Sequence, residues 1–168
     1  MDADFDLVIV GGGAAGMGAA QYGARANLRT LVIEELAHGG QALLIDNLEN
    51  YPGLVPSVDG YTWSENMRNQ AEDFGAQMRS SSVNAIRKSG ELMAVETTDG
   101  MISAKAVVLA TGAKHRHAGV KGEEEFSGRG VSYCATCDGP FFKGKPMVVV
   151  RSEERRVGKE CRTRWSAY

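Results

Sequence analysis

The strongest constraint on the fold is a glycine-rich turn placed directly after a short apolar run. Residues 5–10, Phe-Asp-Leu-Val-Ile-Val, have the length and character of a buried strand. Gly-Gly-Gly-Ala-Ala-Gly follows at once at 11–16 and leads into the alanine-rich stretch 17–26, which favours a helix. A second strand is predicted at 29–33. This order of strand, glycine turn, helix and strand predicts a dinucleotide-binding βαβ unit.

The residues of this turn have separate expected roles. Gly11 permits the tight turn, Gly13 lets the backbone approach a pyrophosphate, and Gly16 allows the helix to pack closely on the strand. Ala14 and Ala15 open the helix, and the N-terminal dipole of a helix favours an anion. We therefore expect these five residues to bind the pyrophosphate of a dinucleotide.

An acidic residue stands where such a unit needs a ribose ligand. Glu34 directly follows the second predicted strand and lies 18 residues after Gly16, close to the spacing of about 20 expected for this acid. Glu35 is out of register, because the acid must point off the strand end. We predict that Glu34 contacts the adenosine ribose, with a solvated strand end as the alternative.

A second helix is predicted at 61–75. Its apolar residues Trp63, Met67, Ala71 and Phe74 are spaced by four, four and three positions. This is the period of one face of a helix, so we expect the stripe to lie in the core rather than in a ligand site.

Several short β patterns follow this helix. Three of them, separated by Ser-Gly and Asp-Gly turns, predict a small antiparallel meander: 83–86, 92–97 and 102–103. Residues 105–110 read as a further buried strand that ends in Thr111 and Gly112. Because doubly wound sheets bind ligands at the carboxyl ends of their strands, we expect these two residues to touch the dinucleotide.

Two cysteines at C-x-x-C spacing, Cys134 and Cys137, precede the acid Asp138. A zinc site would need four ligands, and the sequence offers no second pair to complete one, so no metal site is predicted. The histidines, His38, His115 and His117, are expected to have neither a catalytic nor a metal-binding role. A redox dithiol needs only the cysteine pair: one thiolate attacks a disulfide and its neighbour resolves the mixed disulfide. A thioredoxin-like domain also uses C-x-x-C, but there the motif lies near the first strand and helix, whereas here a nucleotide-binding pattern precedes it.

The composition and the apolar pattern of the chain change after Val150. Nine of the residues 151–168 are charged, and they show no apolar period. The string resembles the translation of a common sequencing-library adapter, so we expect this tail to be non-native and exclude Cys161 and Trp165 from any role.

The motifs occur in the order Gly-Gly-Gly-Ala-Ala-Gly, Gly-Gly-Gln, Glu-Asn-Tyr-Pro-Gly, Ala-Thr-Gly and Gly-Arg-Gly-Val-Ser-Tyr-Cys-Ala-Thr-Cys-Asp-Gly. In this order they resemble the low-molecular-weight thioredoxin reductases across residues 4–150. The resemblance implies an FAD-binding site in which Gly40, Gln41 and the turn beginning at Asn50 pack around the flavin, while Thr111 and Gly112 close over it.

The same resemblance assigns the cysteines. It implies that Cys137 lies next to the flavin, that Cys134 attacks thioredoxin, and that Asp138 donates the proton. The parent enzyme would pass electrons from NADPH through FAD and the cysteine pair to the disulfide of thioredoxin. Two alternatives remain: a peroxiredoxin-reducing flavoprotein with the same core, and a non-catalytic FAD-binding or thiol-carrier module.

These observations predict an α/β protein in three parts. Residues 1–115 form the N-terminal segment of a Rossmann-like FAD-binding domain that carries the small meander. Residues 116–150 begin a truncated second Rossmann domain for NADPH, with a first strand at 145–150, and 151–168 is the tail. The incomplete chain is expected to be inactive alone, and the full-length protein to be a homodimer.

Charge and hydropathy give expectations about partners and location. The net charge of −2 gives no sign of nucleic-acid binding. No run is long enough to span a bilayer, and the acidic first residues lack the basic region of a signal peptide. We therefore expect a cytoplasmic protein without a membrane partner.

Overall fold

The computed structural model describes residues 2–114, 116–134 and 138–148. The chain divides into two compact units, one ending at Ala113 and one starting at Lys114. The predictions for His115, Cys137 and residues 149–168 lie outside the described residues.

A six-stranded sheet organises the first unit. The elements in chain order are β1 (Phe5–Val10), α1 (Ala14–Arg25), β2 (Thr30–Glu34), α2 (Gly60–Asp73), β3 (Gln77–Ser80), β4 (Val83–Ser89), β5 (Leu92–Thr97) and β6 (Gly100–Leu109). The strand order is β3-β2-β1-β6-β5-β4. The neighbouring strands β3, β2, β1 and β6 pair in parallel, whereas β5 pairs antiparallel with both β6 and β4. The predicted α/β class, a Rossmann-like parallel sheet with an antiparallel meander, is confirmed.

The central strands are apolar throughout because both faces of the sheet are covered. On one face, Val8 and Leu31 pack in a cluster with residues of β5 and β6. On the other face, Ile9 and Val32 pack against the helices, with Met17 of α1 fully buried between them. The βαβ unit is therefore fixed by burial on two sides, which holds the glycine turn at the carboxyl ends of β1 and β2.

The apolar stripe of α2 is buried except at its last predicted member. Trp63 and Ala71 are buried, and Met67 packs against the core of the helical face. Phe74 is 44% exposed, because the helix ends one residue earlier and the chain then turns away. The guanidinium of Arg25 lies 5.3 Å from the centre of the Phe74 ring. The prediction of a buried Phe74 is wrong.

Strand β6 replaces two predicted strands, 102–103 and 105–110. The residue between them, Ala104, is fully buried and pairs with β1 on one side and β5 on the other, so nothing interrupts the strand. The charge of Lys105 is accommodated within it, since Lys105 Nζ lies 2.8 Å from Asp6 Oδ1 on the adjacent strand. The predicted boundary at this lysine is therefore wrong.

The carboxyl-terminal half of β6 is not the buried strand that the sequence predicts. Val107 and Val108 are only half-buried, and Leu109 is 69% exposed. The apolar run is thus a strand, but the described residues leave much of its end uncovered.

Strand β3 has no counterpart in the sequence prediction. It consists of Gln-Met-Arg-Ser, with both end residues exposed, so it shows no apolar run. It forms because parallel pairing with β2 satisfies its backbone groups at the sheet edge.

The second unit consists of turns and one short helix in its described part. A 3-10 helix covers Gly139–Phe142. Residues 145–148 carry no strand, so the strand predicted at 145–150 is absent from its described part.

Candidate functional site

The glycine turn links β1 to α1 under tight steric limits. Gly11 has φ of 107°, and a Cβ there would lie 2.3 Å from Ala110 O. A Cβ on Gly16 would lie 1.9 Å from Gly11 O. A Cβ on Gly13, in contrast, would have its nearest neighbour at 3.9 Å. The protein itself therefore requires glycine at the first and last positions, and leaves space beside the middle one.

We expect Gly16→Ala to lower the free energy of unfolding by about 1–3 kcal/mol, because a methyl group at this contact forces the helix away from the turn. Gly18→Ala in the same helix is the matched control, since its added Cβ meets no atom within 4 Å. This control should stabilise the helix by up to about 1 kcal/mol. Urea denaturation followed by circular dichroism measures both changes. Equal effects of the two substitutions would contradict the steric explanation.

The start of α1 is open to an anion. Its N-cap residue is Gly13, no side chain caps it, and no acidic residue lies in the first turn. Ala14 and Ala15 are both exposed. The helix dipole and these backbone amides therefore face a surface that a phosphate group can reach.

The carboxylate of Glu34 lies against the glycine turn. The N–H of Gly12 donates to Glu34 Oε2 (2.7 Å), and the N–H of Leu36 donates to Oε1 (3.0 Å). Glu34 is the last residue of β2 and is half-buried, whereas Glu35 is exposed. Of the two acids, Glu34 is the one whose carboxylate is oriented toward the carboxyl end of β1.

A cavity of about 160 Å³ opens at this edge of the sheet. Its lining residues are Val10, Gly11, Ile33, Glu34, Glu35, Ser81, Val83 and Thr111. The cavity therefore joins the glycine turn, the acid and the end of β6, as expected for the ligand crevice of a doubly wound sheet.

Residues 39–41 lie beside the glycine turn. The N–H of Gly39 donates to Gly12 O (2.8 Å), and a 3-10 helix begins at Gly40. Gln41 Nε2 donates to Ala113 O (3.3 Å), which ties this segment to the chain that follows Thr111 and Gly112. The structure thus brings together most of the predicted cofactor-binding residues.

Asn50 is the exception. It lies in the exposed loop 49–53, and within the described part of the chain no hydrogen bond joins it to the glycine turn. The loop is anchored elsewhere, since the ring of Tyr51 meets Trp63 of α2 edge-on with centroids 5.1 Å apart.

The cysteine segment lies in the second unit. Cys134 takes part in a disulfide bond, and its N–H and C=O both contact the hydroxyl of Ser132 (3.1 and 3.2 Å). The N–H of Asp138 donates to Cys134 O (3.0 Å). Asp138 is half-buried.

The second unit also contains a hydrogen-bonded group that the sequence did not indicate. Glu123 is only 5% exposed, and its carboxylate accepts the N–H groups of Ala118 (2.8 Å), Gly119 (2.6 Å) and Val120 (3.3 Å). The Tyr133 hydroxyl donates to Glu123 Oε1. In the sequence, Glu123 is the first of three consecutive glutamates and reads as a solvated charge.

His117 completes this group, which we call the Glu123 cluster (His117, Glu123 and Tyr133). Its Nδ1 lies 2.9 Å from the Tyr133 hydroxyl and 3.3 Å from Glu123 Oε1. The hydrogen bond from Tyr133, together with the three backbone N–H groups, lowers the pKa of Glu123 to about 2. The same bond, together with burial, raises the pKa of Tyr133 to about 12. The carboxylate is therefore ionised and the phenol protonated across the neutral range.

A cavity of about 410 Å³ adjoins the Glu123 cluster. It is larger than the cavity at the glycine turn but is lined mainly by 119–125, with no glycine turn and no helix N-terminus. Of the two cavities, the smaller one is therefore the one lined by the glycine turn and the acid at the end of β2.

The fold and this site define the class of protein. Residues 5–152 match the family described as pyridine nucleotide-disulphide oxidoreductase, and the chain belongs to that family. Within that family, the chain is similar to thioredoxin reductases. It is 58% identical over 150 residues to the thioredoxin reductase of Treponema pallidum, and the match covers 89% of this chain and 49% of that protein. The resemblance to thioredoxin reductases predicted from the motifs is confirmed.

Solved structures agree with this assignment. The thioredoxin reductase of Streptococcus pyogenes superposes with a TM-score of 0.71 at 44% identity, over 82% of this chain and 45% of that one. The thioredoxin reductase of Lactococcus lactis gives 0.69 at 41% identity, over 83% and 46%. The chain spans about half the length of the relatives it matches. Among the described residues, no helix has the length and apolar character needed to cross a bilayer.

Proposed function

We propose that the chain supplies the FAD-binding segment and the redox dithiol of an NADPH-dependent thioredoxin reductase. The observation that carries the proposal is the carboxyl edge of the sheet, where Glu34 accepts the N–H of Gly12 beside the open N-terminus of α1. An acid and a row of free helix amides at one crevice fit the ribose and pyrophosphate of a dinucleotide. The similarity to thioredoxin reductases supports FAD as this dinucleotide, with the flavin as its redox-active group.

The residues present fit FAD. Ligands for its pyrophosphate would come from Gly11, Gly13, Ala14, Ala15 and Gly16, and the ribose ligand from Glu34. Around the flavin we place Gly40, Gln41, Asn50, Thr111 and Gly112. When bound, FAD accepts two electrons as hydride and passes them to a disulfide. This chain binds and orients it, and the space beside Gly13 leaves room for a phosphate.

The cysteine pair carries the electrons onward. We assign Cys137 to the flavin side and Cys134 to the exchange with thioredoxin. The Cys134 thiolate attacks the thioredoxin disulfide, and Cys137 then displaces the reduced thioredoxin while a disulfide re-forms between the two. Asp138 is proposed as the proton donor to the departing thiolate.

The rest of the proposal concerns the whole protein. We assign 1–115 to the FAD-binding domain and 116–150 to the start of the NADPH-binding domain. We place the NADPH-binding residues in the part of the relatives that this chain does not span. Thioredoxin or a similar small dithiol protein is the proposed partner, in a cytoplasmic homodimer without nucleic-acid or membrane binding.

In the full-length protein, Glu34→Gln is expected to weaken FAD binding by roughly 10- to 100-fold. Loss of a hydrogen bond to a charged group costs about 1.5–3 kcal/mol, and the amide can still accept from Gly12 and so preserve the turn. Glu35→Gln is the matched control and should change the dissociation constant less than twofold. Quenching of flavin fluorescence during titration of the apoprotein measures both. Equal losses in the two variants, or a larger loss at Glu35, would refute the ribose assignment.

A further inference from the structure

The segment that carries Cys134 is fastened to the rest of the second unit through its neighbour. Tyr133 directly precedes the cysteine, and its hydroxyl donates to the buried carboxylate of Glu123. The carboxylate is itself held by the three backbone N–H groups of the turn that begins at Ala118. Glu123 therefore acts as a fixed anchor, and Tyr133 is the link between that anchor and the cysteine.

The backbone before Tyr133 adds to this restraint. The N–H of Gly128 donates to Val131 O (3.0 Å), and the N–H of Val131 donates to Phe126 O (2.9 Å), so 126–131 forms a closed turn. Beyond this turn, the described hydrogen bonds of the Ser132 side chain join it to the backbone of Cys134. The Tyr133 side chain reaches back to an earlier part of the unit, where its hydroxyl donates to Glu123 Oε1 and lies 2.9 Å from His117 Nδ1.

Reduction of a disulfide moves the cysteine-bearing backbone or side chains apart. Bonded sulfur atoms are about 2.0 Å apart, whereas non-bonded heavy atoms separate to about 3.5 Å or more. The link from Tyr133 to Glu123 is formed in a structure in which Cys134 is disulfide-bonded. A contact that fits one of two states better stabilises that state by the difference.

We propose that Tyr133 is a positioning residue which, through Glu123 and His117, stabilises the disulfide form of the cysteine pair over its dithiol form. The inference rests on the proposed function in one respect, that Cys134 and Cys137 are the pair that exchanges. It assigns the Glu123 cluster the role of setting how strongly this pair reduces its partner, because a more stable disulfide makes the dithiol a stronger reductant.

The charge state of the cluster suits this role. The low pKa of Glu123 and the high pKa of Tyr133 keep the acceptor ionised and the donor protonated throughout the range in which thiols are titrated. His117 adds a second contact to the Tyr133 hydroxyl at 2.9 Å. The link therefore persists at the pH of a redox titration, and its removal by mutation is the direct way to test it.

The test is a redox titration of the full-length protein, in which the continuation of the gene replaces residues 151–168, read at the peptide that carries Cys134 and Cys137. The pair is equilibrated with glutathione, according to disulfide plus two glutathione thiols giving dithiol plus glutathione disulfide. Tyr133→Phe removes one oxygen atom and leaves the ring. We expect it to lower the equilibrium constant for disulfide formation three- to tenfold, where tenfold corresponds to about 30 mV. Alkylation with a mass tag and mass spectrometry count the thiols.

Two further variants keep the result interpretable. Tyr61→Phe removes a hydroxyl from an exposed tyrosine of α2 and should leave the constant within twofold of the parent. Glu123→Gln weakens the same link from the other side, so it should shift the constant in the same direction as Tyr133→Phe, and the double variant should add little to either. This non-additivity would distinguish a shared link from two separate losses of folding.

Each outcome decides one of the proposals. An unchanged or increased constant in Tyr133→Phe, with the parent equilibrating normally, overturns the role of the Glu123 cluster and leaves the dithiol intact. A parent chain whose two cysteines form no disulfide with each other at any glutathione ratio overturns the proposed dithiol function itself.

Discussion

Replacement of either proposed redox cysteine in the full-length protein is expected to lower the rate of thioredoxin reduction by more than about 10³-fold. Thiol–disulfide exchange needs one thiolate to attack and a second to resolve the mixed disulfide, so neither cysteine can act alone. The two variants should nevertheless differ in colour. Cys134→Ser leaves the thiolate assigned to the flavin side and should retain its long-wavelength absorbance against the flavin, whereas Cys137→Ser should lose that band.

The measurement combines steady-state reduction of thioredoxin by NADPH with an absorbance spectrum of each purified protein. Equal FAD content in the parent and both variants is the control, since it shows that the flavin site has survived the substitutions. The opposite pattern, with the band lost in Cys134→Ser and kept in Cys137→Ser, would exchange the roles of the two cysteines. Substantial activity in either variant would exclude the dithiol mechanism.

The second prediction with a large effect concerns the FAD content and activity of residues 1–168 without the rest of the protein. Residues 1–168 alone are expected to hold far less than one FAD per chain and to show no NADPH-dependent disulfide reduction. Relatives are about twice as long, and the apolar end of β6 is uncovered in the described structure, with Leu109 69% exposed. A parallel sheet whose strands lack cover is expected to bind its ligand poorly and to aggregate.

A chain in which residues 151–168 are replaced by the continuation of the gene should bind FAD stoichiometrically and turn over. A chain ending at residue 150 is the control that separates loss of the continuation from an effect of the tail. Flavin content, cooperativity of thermal unfolding and NADPH oxidation in the presence of a disulfide would be compared across the three proteins. Stoichiometric FAD and turnover by residues 1–168 alone would contradict the truncation proposal and give the tail a structural role.

The sequence predicted the part of the fold in which local and long-range preferences agree. The glycine turn lies between two apolar strands and a helix, and each element has enough buried residues to be recognised separately. Glu34 could be chosen over Glu35 because a strand end fixes which side chain points toward the turn. Its actual contact, with the N–H of Gly12, is consistent with that choice, while the ribose role stays a prediction.

The misjudged elements depend on partners that are distant in the sequence. Lys105 looks like a strand boundary until Asp6 is known to lie beside it. Phe74 fits the helical period, but the helix ends one residue before it and Arg25 covers its ring instead. In each case the pattern along the chain is correct, and a contact with another element decides the outcome.

The Glu123 cluster was missed for the same reason. Three consecutive glutamates normally indicate a solvated surface, and nothing in their spacing selects the first as the buried one. The selection comes from the backbone, because the chain between Ala118 and Val120 turns its N–H groups onto a single carboxylate. His117 was expected to have neither a catalytic nor a metal-binding role, and its spacing in the sequence does not reveal that Glu123 Oε1 lies 3.3 Å from its ring nitrogen.

The double pairing of β6 restricts where the length of this domain can change. The first half of the strand pairs with β5 and the second half with β1, and the two ladders meet at Ala104, so an insertion within the strand would shift one ladder out of register with the other. The tip between β4 and β5 is different, since Gly90 has φ of 65° and its surroundings are open. Length variation among relatives, and any engineered insertion of a reporter, is therefore best accommodated at that tip, which lies outside both ladders that position Thr111.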